Sequence, residues 1–107
     1  MAEDLGYAGR EANAEIVVQV VWTQRAVADL QAIRAYIEQF SPLAAQRIAL
    51  RLLNAGNALD EQPSRGRPVS AGRRELATIA PYLIRYRVKG ETVEILAIRH
   101  GARKPPA

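Results

Sequence analysis

The side chains of this 107-residue protein best suited to act on another molecule gather in its last third. The lone histidine, His100, stands in the run Arg99-His100-Gly101-Ala102-Arg103-Lys104, so an imidazole that titrates near neutrality lies among guanidinium groups. Just upstream, Tyr82-Leu83-Ile84-Arg85-Tyr86-Arg87-Val88 interleaves cations with aromatic and aliphatic residues. Arginine's planar fork suits contacts to phosphate and carboxylate. The histidine offers proton transfer, and the arginines offer anion binding. Whether this segment does chemistry or only binds is the main question the sequence poses.

Charge sharpens it. Residues 63–107 hold ten basic residues against Glu75, Glu91 and Glu94, an excess of +7. Residues 16–62 balance to zero, and residues 1–15 carry −3. The excess positive charge therefore lies wholly in the C-terminal half, where it fits an acidic partner or a phosphate backbone. Arginine outnumbers lysine 13 to 2. With no cysteine, disulfides and thiolate zinc sites are excluded, and a cytoplasmic location is expected. The acidic start lacks the order of a signal peptide. No apolar run approaches the ~20 residues that span a bilayer. No phosphate loop, zinc spacing or nucleophile elbow occurs, so neither a cofactor nor a metal is expected.

The elements that must position these residues follow from periodicity. Residues 1–15 read as a flexible lead, 16–104 as one domain and 105–107 as a tail. Ile16–Trp22 is dense in β-branched residues and predicts a strand covered on both faces. Thr23 is placed to cap a helix over 24–39 whose stripe is Val27, Leu30, Ile33, Ile37 and Phe40. Ser41-Pro42 starts a second helix, to about Glu61, lined by Leu43, Ala45, Ile48, Ala49, Leu52, Ala55 and Leu59. So short a link predicts a helical hairpin. Gly56 inside the second helix points to a close approach or a weak point. Residues 62–72, with Arg65 and Arg67, read as loop. A strand over 73–79 and a turn at Ala80-Pro81 precede a strand over 82–88. That strand has Tyr82, Ile84, Tyr86 and Val88 on one face and Leu83, Arg85 and Arg87 on the other. A turn at Lys89-Gly90 leads into a last strand over 92–99. The expected fold is a two-layer α+β sandwich in the order β-α-α-β-β-β, the helical hairpin packed on one face of a mainly antiparallel sheet.

This order resembles the RelE/ParE toxin superfamily of bacterial type II toxin–antitoxin systems. The residues that carry the likeness are Trp22-Thr23, Ser41-Pro42, the Pro81-to-Val88 strand and the Val93-to-Arg103 ending. The His100-Gly101-Ala102-Arg103 terminus is closer to the ParE-like branch. The resemblance implies a toxin neutralised by an antitoxin that wraps it. ParE-like members inhibit DNA gyrase by protein contact, whereas RelE-like members cut ribosome-bound messenger RNA without a metal. An inactive homologue that only binds antitoxin is a third reading.

Metal-free RNA cleavage needs a base, an acid and cations for the extra phosphate charge. On the RelE-like reading the site would draw on Arg73, Arg87, His100 and Tyr86, with Tyr82 as another proton donor and Arg99 and Arg103 as further clamps. That inventory is thin: no second histidine exists, the lysines are only Lys89 and Lys104, and arginine stays charged. On the ParE-like reading, Arg65, Arg67, Arg85, Arg87, Arg99, His100, Arg103 and Lys104 form a surface for gyrase or antitoxin. Plainer roles stand beside both. His100 suits a strand-end residue bonded to backbone, Tyr82 and Tyr86 suit core aromatics with hydroxyls at the rim, and the arginines suit a solvated face. DNA binding by the helices is disfavoured because their charge is balanced.

Overall fold

The computed structural model of the chain describes residues 18–101. The N-terminal lead, Arg103, Lys104 and the tail lie outside them. Strand β1 (Gln19–Trp22) is followed by helices α1 (Gln24–Glu38) and α2 (Pro42–Asn57) and a single 3-10 turn at Ala58–Asp60. Strands β2 (Arg67–Ser70), β3 (Arg73–Leu76), β4 (Tyr82–Lys89) and β5 (Thr92–His100) complete one sheet in the order β1-β5-β4-β3-β2. Every pairing is antiparallel except β1 with β5, where the chain returns from the helices to place both strands in one direction. The two-layer α+β architecture expected from the periodicity is the one observed.

Local chemistry explains the boundaries. The Thr23 hydroxyl accepts from the Ala26 N–H to cap α1, and it also donates to the Ile95 carbonyl, which ties the helix start to β5. Ser41 caps α2 through the Ala44 N–H, with Pro42 at the first helical position. The core lies between helices and sheet: Ala26, Leu52 and Leu59 from one layer meet Leu76, Ile79, Ile84, Tyr86, Val93, Ile95 and Ile98 from the other. A bulge in β5 opposite Arg85/Tyr86 lets both Ile95 and Ile98 face the helices. Beyond the end of β1, the Ile98 N–H is satisfied by Asp29 of α1 at 3.0 Å.

Five expectations are corrected. Residues 62–72 are not all loop: Arg67–Ser70 forms an edge strand joined to β3 by the two-residue turn Ala71-Gly72, both with positive φ. Pro68 masks it, since proline is tolerated only at a sheet edge. Strand β3 ends at Leu76 rather than 79, and α2 ends at Asn57. Strand β1 is an edge strand and not covered on both faces: Val20 and Trp22 pack on the core, while Val21 is 45 % exposed. Phe40 and Leu43 do not join the core stripes; they project from the end of the helical hairpin, and Phe40 is 74 % exposed with its ring edge-on to Tyr36. Gly56 does mark a close approach, against Trp22: an added Cβ would meet the ring at 2.5 Å.

Candidate functional site

The sheet has one face under the helices and one face open, and the two-residue alternation of the strands sorts the polar side chains between them. Ile84 and Tyr86 of β4 and Val93, Ile95 and Ile98 of β5 are buried beneath the helices. Arg85 and Arg87, which alternate with them, therefore emerge on the open face. Strand register then builds two rows across it. Arg67 of β2 lies beside Glu75 of β3, Glu75 beside Arg85 of β4, and Arg85 beside Ala97 of β5. One pleat along, Arg73 lies beside Arg87, Arg87 beside Glu94, and Glu94 beside Val21 of β1. Arg99, next to Leu83, completes the face.

Glu75 is the centre of the first row. It is 2 % exposed, yet its carboxylate is surrounded by cations. Its Oε2 accepts from Arg85 Nε at 3.1 Å, from Arg85 Nη2 and from Arg99 Nε at 3.2 Å, while Arg67 Nη2 lies 3.7 Å from Oε1. Burial by itself pushes the carboxyl up; the hydrogen bonds and charges of Arg85 and Arg99 outweigh it and hold Glu75 below the usual carboxylate range. Three guanidiniums around one carboxylate leave the cluster two charges positive. Glu75 was no candidate on sequence. A lone glutamate in Arg73-Arg74-Glu75-Leu76 gives no hint of burial, and only the cross-strand register brings its partners to it.

The second row is a pair with an extra cation. Arg87 Nε meets Glu94 Oε1 at 2.6 Å, and this bond lowers the Glu94 pKa. Arg73 sits directly across from Arg87 and has no acidic partner among the described residues. A like-charge pair in register costs a few tenths of a kcal/mol, so this pair lowers stability while it adds positive potential to the face.

The proton-transfer candidates lie elsewhere. Tyr86 is fully buried, its hydroxyl beneath the 63–66 loop rather than at the rim. It donates to the Pro63 carbonyl and accepts from the Gly66 N–H, both at 2.7 Å. Arg74 Nη1 reaches the Ser64 and Gly66 carbonyls, so two strand side chains fasten the loop that carries Arg65 and leads to Arg67. Side chains at Gly66 are excluded by the Tyr86 ring, 2.8 Å from the position a Cβ would take. His100 alternates with Arg99 and so lies on the helix-facing side, edge-on to Tyr82 with ring centroids 5.7 Å apart. The constellation of Arg73, Arg87, His100 and Tyr86 is thus divided: two arginines on the open face, a histidine and a buried phenol on the other. Arg65 is exposed in its loop, and Arg103 and Lys104 fall outside the described residues.

The fold meets a known pattern. A family model described as the ParE toxin of type II toxin–antitoxin systems, parDE, matches residues 20–105. The chain belongs to the ParE toxin family. It is 60 % identical over 87 residues to Toxin RelE2 of Caulobacter vibrioides, covering 81 % of this chain and 99 % of that one. Among solved structures, a chain of the chromosomal ParDE toxin–antitoxin system from P. aeruginosa superposes with a TM-score of 0.72 at 28 % identity, covering 80 % of this toxin and 98 % of that chain. A chain of the RelBE2 toxin–antitoxin complex from Mycobacterium tuberculosis shares the fold, with a TM-score of 0.60 at 24 % identity over 82 % of this toxin and 95 % of that chain. Proteins named ParE and RelE therefore share this fold.

Proposed function

We propose that this type II toxin acts by docking on DNA gyrase through its open arginine face, and that an antitoxin covers the same face to neutralise it. One observation carries the reading: His100 and Tyr86 lie on the opposite side of the sheet from Arg73, Arg85, Arg87 and Arg99. Proton transfer and phosphate clamping by these groups would have to act at one phosphodiester, and heavy-atom reach for proton transfer is about 3 Å. The β-sheet that lies between them supports docking over cleavage. What remains on the open face is fixed positive charge, which speeds association with acidic protein surfaces and sets the register of docking.

The test runs two assays on one purified sample. Gyrase supercoiling is measured with added toxin, and ribosome-bound message is mapped for new 5′ ends. Inhibited supercoiling with intact message is the expected result. Cut message with untouched supercoiling overturns the proposal in favour of a ribosome-dependent endoribonuclease. Inactivity in both assays, with antitoxin still bound, identifies an inactive homologue that only binds antitoxin.

A further inference from the structure

We propose that Glu75 is a positioning residue that holds Arg85 and Arg99, with Arg67 beside them, as a fixed set of donors for the carboxylates of an extended acidic peptide. This rests on the docking reading and names the chemistry of the docked partner.

A carboxylate in the middle of an anion-binding face lowers its potential, so charge alone disfavours it there. Its placement explains its presence. Glu75 lies at the floor of the cluster, almost wholly excluded from solvent, and its Oε2 takes bonds from both Arg85 and Arg99. Those guanidiniums are about a third exposed, with side-chain exposures of 31 % and 27 %. A guanidinium carries five N–H groups, more than the bonds to Glu75 take up. Free arginine side chains carry rotamer entropy that is lost when a partner fixes them. Glu75 removes that cost before the partner arrives, which is how preorganisation raises affinity.

The same face separates peptide from nucleic acid. Single-stranded nucleic acid is held by aromatic platforms on which bases stack. Among the described residues the aromatics of the sheet, Trp22, Tyr82 and Tyr86, all pack on the helix side. The arginines are instead interleaved with Leu83, Ala97 and Val21, a mixture suited to a strand of alternating acidic and small apolar residues.

The experiment uses the whole toxin and two labelled probes, a dodecapeptide of alternating Glu and Ala and a uridine dodecamer, read by fluorescence anisotropy. Glu75→Gln keeps the shape and adds a net positive charge. Charge bookkeeping alone predicts tighter peptide binding; positioning predicts binding weaker by roughly tenfold, the loss of one charge-assisted contact. In the same variant the Arg85 and Arg99 Nε–H resonances should lose their dispersion while the backbone spectrum stays native. Equal or tighter peptide binding by a folded Glu75→Gln protein overturns the proposal and leaves the docking reading standing, since that is judged by supercoiling. Wild type that binds no peptide, or binds the uridine probe more tightly, overturns it as well. Should Glu75→Gln fail to fold, Arg85→Lys keeps the charge but not the fork; a tenfold loss there supports the proposal and unchanged affinity overturns it.

Discussion

Glu75 and His100 exchange the roles that residue type alone suggests for them. His100 is the only imidazole in the sequence, but it stands against Tyr82 on the helix side of the sheet. His100→Ala is therefore expected to leave growth arrest intact; arrest lost in a variant that still melts cooperatively and still binds antitoxin would instead support a nuclease. Glu75 is the group whose ionisation matters to the fold. Its folded pKa lies below its unfolded value of about 4.3, so its contribution is fully present above that value and is lost as pH falls through the folded pKa. Melting temperature recorded from pH 6 down to pH 3 should drop most steeply below about pH 4, and Glu75→Gln should flatten that drop. An unchanged profile would show that the cluster contributes nothing to stability.

At the scale of elements, two small residues have opposite requirements. Gly56 of α2 has helical neighbours, and propensity alone favours alanine there by roughly 1 kcal/mol. The Trp22 ring, held by a 2.9 Å bond from its Nε1 to Asn57 Oδ1, occupies the space. Gly56→Ala should lower stability by about 1–3 kcal/mol, the cost of overpacking. Ala71 in the β2–β3 turn adopts φ +45°, where a Cβ is unfavourable, and nothing limits the space at the adjacent Gly72. Ala71→Gly should stabilise by up to about 1 kcal/mol, a rise of several degrees in melting temperature for a domain of this size. Thermal melts of both variants check the pair, and a stabilising Gly56→Ala would contradict the Trp22 packing. The β4–β5 turn needs no such change, because Gly90 already stands at its positive-φ position.

At the scale of the molecule, the face is one charged surface. Among the described residues it sets Arg67, Arg73, Arg85, Arg87 and Arg99 against Glu75 and Glu94. Reversing the two arginines outside the Glu75 cluster, Arg73→Glu with Arg87→Glu, should weaken antitoxin binding by at least tenfold and reduce its dependence on salt, because docking rates on such surfaces follow the potential. Titration calorimetry at two ionic strengths measures both; affinity retained in the double variant would place the antitoxin elsewhere.

The sequence by itself determined the elements that rest on local rules: the capped helical hairpin, the β4–β5 hairpin with Gly90 at its turn, and the separation of Arg85 and Arg87 from Ile84 and Tyr86. Caps, proline at a first helical turn and two-residue alternation are properties of neighbouring residues, so a chain states them outright. It also showed where the positive charge lies. Only the tertiary structure decided what that charge is built around. Arg67, Glu75, Arg85 and Arg99 come from four strands and meet through register, which depends on the β2–β3 turn, on the bulge in β5 and on which sheet face the helices cover. The same long-range pairing put His100 behind the sheet and buried Tyr86 beneath the 63–66 loop. Strand identity is local; the partner across a sheet is not, and the arginine face exists only through those partners.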